Sequence, residues 1–145
     1  MKKKVYIAGP LFSEAERAYN LLIDEICKEE GFDTFLPQRD APQLAADNKR
    51  DVFAAELHAN EGCSFVVANL DGVDVDSGTA WELGYATARG KLVIGLRTDW
   101  RRYSECEQVN LMIEESVYLV RDLTGLRKAL RAFLSGEVTT RAYGV

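Results

Sequence analysis

Ser64-Phe65-Val66-Val67-Ala68-Asn69 is a nearly unbroken apolar run with β-branched residues at its centre. A strand of that composition is buried on both faces, the mark of a parallel sheet covered by helices. Upstream, Val5-Tyr6-Ile7-Ala8 is a second apolar run, stopped by Gly9-Pro10 as a strand is stopped by a turn. Residues 13–30 carry Ala18, Leu21, Leu22 and Ile26 at helical spacing, with Ser13 as N-cap and Gly31 beyond the end. Residues 32–36 predict a strand closed by Pro37, residues 38–48 a polar loop, and residues 50–61 a helix with Val52, Phe53 and Leu57 as its stripe. Downstream the pattern predicts a loop over 70–77, a helix over 78–89, a buried strand over 91–96 and a loop over 97–105. A short helix over 107–115, a strand over 117–120 and a helix over 123–134 complete it.

Strict alternation of strand and helix predicts the α/β class, as a flavodoxin-like, doubly wound five-stranded parallel sheet of order 2-1-3-4-5. The chain of 145 residues is expected to form one domain, 1–145, with a substantial core. Sheets of this kind bind ligands beyond the C-terminal ends of the strands, at the switch point between strands 1 and 3. Residues 9–13, 37–40 and 69–82 are expected to meet there.

The charge balance narrows the partners. Eighteen Lys and Arg stand against 23 Asp and Glu, a net charge of −5, which argues against a nucleic-acid polymer. No apolar run approaches the roughly 18 residues of a membrane span, and no secretory signal opens the chain. The expectation is a cytoplasmic protein with no membrane partner. Cys27, Cys63 and Cys106 are too widely spaced for a disulfide framework or a thiolate zinc site. His58 is the single histidine and reads as a helix-surface residue, so neither a metal site nor a Ser-His-Asp triad is expected.

The chemistry available is therefore carboxylate chemistry. Asp71, Asp74 and Asp76 lie in the loop at the expected ligand edge, and Glu82 about one turn into the following helix. Two carboxylates on one crevice suit cleavage of a glycosidic bond: one attacks or stabilises the anomeric carbon, the other serves the leaving group. With no histidine near, a carboxyl pair and Tyr6 form the strongest acid–base set. Plainer readings stand beside this. Thr79-Ala80-Trp81-Glu82 fits a capping box, and the aspartates suit turns or a magnesium ion. Ser77-Gly78-Thr79 opens a helix, as a phosphate site does, but lacks a nearby lysine.

Three segments carry a resemblance. Tyr6-Ile7-Ala8-Gly9-Pro10-Leu11-Phe12, then Asp76-x-Gly78-x-x-x-Glu82-Leu83-Gly84-Tyr85-Ala86, then Val109-Asn110-Leu111-Met112-Ile113 resemble the nucleoside 2-deoxyribosyltransferase family, in the same order along the chain. The resemblance implies exchange of the base of a 2′-deoxyribonucleoside. Glu82 becomes the nucleophile, forming a covalent glycosyl-enzyme that the incoming base displaces with net retention. Tyr6 orients that glutamate, and Asp76 lies at the base and sugar as a candidate proton donor. Gly9 and Phe12 join the substrate-binding set, Phe12 by stacking on a base. Glu56 stands where the family has an aspartate that contacts the base.

Asn110 implies more. In the family an asparagine in this segment reaches from a neighbouring subunit to the sugar's 5′-hydroxyl end, so a homo-oligomer, dimer or hexamer, is expected. The implied partners are 2′-deoxyribonucleosides and free nucleobases, with no metal or organic cofactor, in nucleotide salvage. A sister group, the 2′-deoxynucleoside 5′-phosphate N-hydrolases, tends to carry serine at the position of Asn110. That activity is the alternative, and Arg39, Arg50 or Arg102 could then supply a phosphate site. A non-catalytic nucleotide-binding module on the same fold is the third reading.

Overall fold

A computed structural model describes residues 1–137. The elements are β1 (Lys4–Ala8), α1 (Glu14–Glu29), β2 (Asp33–Phe35), α2 (Pro37–Asp40), α3 (Lys49–Gly62), β3 (Phe65–Asn69), α4 (Ser77–Ala88), β4 (Val93–Leu96), α5 (Leu111–Glu114), β5 (Tyr118–Val120) and α6 (Leu123–Leu134). All pairings are parallel, and the sheet order is β2-β1-β3-β4-β5. This is the flavodoxin-like order expected from the alternation. The expected domain, 1–145, runs into residues 138–145, outside the described residues.

The period-2 alternation of β1 sorts the core into two layers. Val5 and Ile7 face one side, packing with Ile23, Ile26 and Cys27 of α1 and with Leu126 and Leu130 of α6. Tyr6 and Ala8 face the other, with Cys63 after α3 and with Leu83 and Ala86 of α4. Every residue of β3 is buried, as its composition requires of a central parallel strand. The chain leaves β1 toward one face and β3 toward the other, so a crevice opens at their C-terminal ends.

Local signals set several boundaries. Ser13 caps α1 in a reciprocal box: its Oγ accepts from Glu16 N at 3.1 Å, and Glu16 Oε1 accepts from Ser13 N at 2.8 Å. Two expectations are corrected. Residues 37–40 form one helical turn rather than the start of a loop. Pro37 opens the turn, and Asp40 Oδ2 accepts from Leu36 N at 2.8 Å. The helix expected over 107–115 shrinks to Leu111–Glu114. The Glu107 carboxylate takes the Leu111 N–H and the Glu114 carboxylate takes the Gln108 N–H, each at 2.7 Å, so a side-chain staple replaces the first helical turn.

Candidate active site

Glu82 lies in the second turn of α4 with its side chain toward β1. Tyr6, fully buried, points to the same side of the sheet and stacks on Phe35 at 5.5 Å. Burial is the main cause that pushes the Glu82 carboxyl up to about 8. The Tyr6 hydroxyl pulls it down, and the Glu56 and Asp76 charges push it up. The hydroxyl is thus close enough to act on the carboxyl, yet neither Tyr6 Oη nor Glu82 Oε2 closes a hydrogen bond of standard geometry. Burial first, then Glu82 and Glu56, drive the Tyr6 phenol far above its ordinary range, so it stays a proton donor.

The backbone decides between the readings of the segment before Glu82. Asp76, not Thr79, is the N-cap of α4: its ψ of 134° is not helical, and its Oδ2 accepts from Thr79 N at 2.9 Å and Thr79 Oγ1 at 3.0 Å. The capping box read over 79–82 is therefore absent, and the Glu82 side chain is free of that duty. The three aspartates are turn and cap formers. Asp71 accepts from Thr98 N at 2.7 Å, Asp99 N at 2.9 Å and the Thr98 hydroxyl; Asp74 accepts from Val75 N at 2.8 Å. Among the described residues no three His, Cys, Asp or Glu side chains gather as a metal site.

Arg97 holds this loop in place, and no sequence signal pointed to it. It is 1% exposed, and its guanidinium donates to the carbonyls of Leu70 at 2.7 Å, Gly72 at 2.8 Å and Arg101 at 2.8 Å. Gly72 takes a φ of +128°, which a side chain would strain. The loop that ends in Asp76 is thereby tied to the segment after β4.

A cleft of about 600 Å³ opens at the crevice, within the usual range of small-molecule sites. Gly9, Phe12, Glu56, Asp76 and Glu82 all line it, as do Pro37, Gln38 and Leu44. Five of the sequence-predicted residues thus share one cleft, with Tyr6 beneath Glu82. Phe12 is 76% exposed, so it is a wall of the cleft and not part of the core. Gly9 is also required by packing: a Cβ there would lie 2.8 Å from Asn20 Oδ1. Glu56 is half-buried, and burial raises its carboxyl above the ordinary range.

Asn110 stands apart. It caps α5, its Oδ1 accepting from Met112 N at 3.0 Å, and lines a different groove between α4 and α5. Leu111 and Met112 beside it are exposed. Within one chain Asn110 does not reach the cleft that holds Glu82.

The cations offered by the sequence for a phosphate are elsewhere. Arg39 pairs with Asp40 at 2.6 Å and with buried Asp24 at 2.9 Å, binding α2 to α1. Arg50 and Arg102 are exposed and line no part of the cleft. Among the described residues Arg17 is the cationic side chain that does, one turn into α1, with one Nη donating to Leu11 O at 3.1 Å.

The fold and this cleft define an α/β protein with a carboxylate-lined cleft at the switch point of its sheet. The chain belongs to the nucleoside 2-deoxyribosyltransferase family, whose model matches residues 5–126. A conserved protein from Enterococcus faecalis V583 superposes with a TM-score of 0.79 at 27% identity, over 92% of this chain and 99% of that one. A 2-deoxyribosyltransferase from Bacillus psychrosaccharolyticus gives 0.72 at 25% identity, over 88% and 95%. A CMP N-glycosidase from Clostridium botulinum shares the fold, at 0.58 and 20% identity over 90% and 99%. An uncharacterized protein of Schizosaccharomyces pombe is 35% identical over 112 residues, 70% of this chain; the chain spans about half that relative's length. No helix among the described residues is long and apolar enough to cross a membrane.

Proposed function

We propose that the protein exchanges the base of 2′-deoxyribonucleosides through a covalent deoxyribosyl-Glu82 intermediate. The observation that carries this is a buried Glu82 carboxyl beside the Tyr6 hydroxyl in a cleft it shares with Asp76 and Glu56, in a chain of this family. An ionised Glu82 oxygen attacks C1′ as the C1′–N bond breaks, and the leaving base takes a proton on that nitrogen. Asp76 is the proposed donor. Its Oδ2 is spent on Thr79, which leaves Oδ1 for the substrate. Glu56 contacts the base, and Phe12 stacks on it. The acceptor base then attacks C1′ from the face the first one left, the ester bond to Glu82 breaks, and the acceptor's proton returns to the site. The configuration is retained.

Burial serves this chemistry. A poorly hydrated carboxylate is a stronger nucleophile and a better counter-charge for an oxocarbenium-like transition state. The Tyr6 donor keeps part of it ionised near neutrality. The carboxylates supply both nucleophile and proton transfer, so no cofactor enters the scheme. We place the activity in nucleotide salvage, in the cytoplasm, in a homo-oligomer (dimer or hexamer) where Asn110 of one subunit completes the sugar site of another.

A second reading, hydrolysis of 2′-deoxynucleoside 5′-monophosphates, is favoured by one observation: Arg17 brings a cation to the cleft wall. One assay separates the two. The protein is incubated with 2′-deoxyinosine or thymidine, with and without adenine, and separately with dCMP or dGMP. 2′-Deoxyadenosine formed only when adenine is present is the expected result. Free base from the monophosphates with no exchange product would transfer the assignment to the hydrolase.

A further inference from the structure

Glu82 is approached from a second side. A smaller hollow of about 380 Å³ opens between α3 and α4, and Glu56, Gly78 and Glu82 line both it and the main cleft. Its inner wall is Asn60, in the last turn of α3 and 2% exposed. Asn60 Nδ2 donates to the backbone carbonyl of Glu82 at 3.4 Å. A carbonyl only accepts, so chemistry fixes which end of the amide faces it, and Oδ1 is the end left over. Asn60 Oδ1 has no partner, and neither do Tyr6 Oη and Glu82 Oε2. A buried amide ordinarily spends both ends. This one spends its donor on the peptide of the nucleophile and leaves its acceptor unpaired.

The support behind Asn60 is rigid. Lys91, just before β4, donates to the carbonyls of Asn60, of Glu61 at 2.6 Å and of Cys63 at 2.9 Å. A cation is favourable there, at the C-terminal end of a helix. Cys63 Sγ donates to the Asn60 carbonyl at 3.0 Å. The end of α3 is clamped to the sheet, and Asn60 passes that constraint to α4 at Glu82. A bond to any other turn of α4 would join the helices equally well; this one meets the residue whose side chain reacts.

We propose that Asn60 is a positioning residue for Glu82, fixing the height and rotation of α4 at the nucleophile so that its carboxylate meets both Tyr6 and C1′. The role rests on the reading of Glu82 as nucleophile. The groups that act on that carboxyl are Tyr6 from β1, Glu56 from α3 and Asp76 at the start of α4, with Cys63 next to Tyr6, while Asn60 meets the backbone of Glu82.

Two variants test it. Asn60→Leu keeps the volume and removes both polar ends; Asn60→Asp keeps the shape and exchanges the donor for an acid. Three quantities are read on each full-length protein: the unfolding midpoint, kcat and KM for base exchange, and the ¹³C NMR titration of the Glu82 side-chain carboxyl, assigned by its loss in Glu82→Gln. The expected result is kcat lower by about tenfold or more with KM within about twofold, because a misplaced nucleophile costs rate and not binding. The Glu82 titration moves by about half a pH unit or more in both, upward in Asn60→Asp, where a further carboxylate beside Glu56 and Asp76 opposes ionisation. A bond that only joined two helices would lower the unfolding midpoint and leave the titration and kcat unmoved, and that result overturns the proposal. If the parent protein shows no exchange on any substrate, the functional reading fails, and the titration alone decides the place of Asn60. If Asn60→Asp does not fold, Asn60→Leu decides by the same criteria.

Discussion

One oxygen of the Asp76 carboxylate, Oδ2, holds both the backbone N–H and the hydroxyl of Thr79, at 2.9 and 3.0 Å. Thr79 is buried, so its side of both bonds is shielded from water. The carboxylate sits at the positive end of α4, where a negative charge is favoured. Asp76 is at once the start of the helix that carries Glu82 and a wall of the cleft that Glu82 faces.

The two duties of Asp76 separate by substitution. Asparagine caps a helix about as well as aspartate, so Asp76→Asn should unfold within about 0.5 kcal/mol of the parent, whereas Asp76→Ala should lose about 1 kcal/mol. Base exchange should fall by roughly 10²-fold or more in both, because neither can pass a proton. Exchange at the parent rate in Asp76→Asn would confine Asp76 to the helix cap. Urea titration and initial rates check the pair.

Tyr6→Phe should leave stability unchanged or raise it by up to about 1 kcal/mol, since the Tyr6 hydroxyl is buried without a closed hydrogen bond. The same change removes the donor that holds the Glu82 pKa down. The acidic limb of kcat/KM, expected near the Glu82 pKa of about 8, should therefore move to higher pH. A pH–rate profile of both proteins reads this directly.

Glu82 also leaves a mark on stability. Its folded pKa, about 8, lies above the ordinary value of 4.5. Between those values the unfolded chain has released the proton that the folded protein keeps. The contribution is complete below about pH 4.5 and is lost as pH rises through about 8. Glu82→Gln removes this dependence. Its stability relative to the parent should rise across that window by on the order of a few kcal/mol, as seen in urea unfolding at pH 5 and pH 9.

Arg97 spends its guanidinium on three carbonyls in a buried setting. Arg97→Met should cost about 3–5 kcal/mol, because it leaves those carbonyls without donors. Arg97→Lys should recover only part of this, since an ammonium cannot reach carbonyls on two segments with a planar fork. Chemical denaturation of the two variants gives the comparison.

Asn110 lies outside the Glu82 cleft of its own chain. Glu82→Gln and Asn110→Ala should each lack exchange activity alone. Mixed from the unfolded state in equal amounts, they should recover about a quarter of the parent activity, because half the dimers are mixed and each carries one intact site. No recovery, with mixed dimers demonstrated, would return Asn110 to a helix cap.

Much of the fold was legible because its signals are local. The run of 64–69 has the composition of a strand buried on both faces, Ser13 and Gly31 bracket a helix, and strand–helix alternation leaves few topologies. The departures arise where side chains substitute for backbone: Asp40 holds the turn of α2, and Glu107 with Glu114 displaces the start of α5. Asp76 and Glu82 were legible as a pair, but the spacing fits a cap at Thr79 as well as one at Asp76. Backbone dihedrals made that choice. Arg17, Asn60 and Arg97 escaped or were passed over because they donate to backbone carbonyls, which every residue carries and no motif records.

The sequence by itself determined the sheet, its order and the stock of reactive groups, because apolar periodicity dictates burial and composition limits the chemistry. Only the tertiary structure decided how those groups behave. A glutamate becomes a carboxyl that titrates at about 8 when a helix presses it against a strand 76 positions away in the chain. That shift comes from lost hydration and from neighbours in space, and neither exists until the chain has folded.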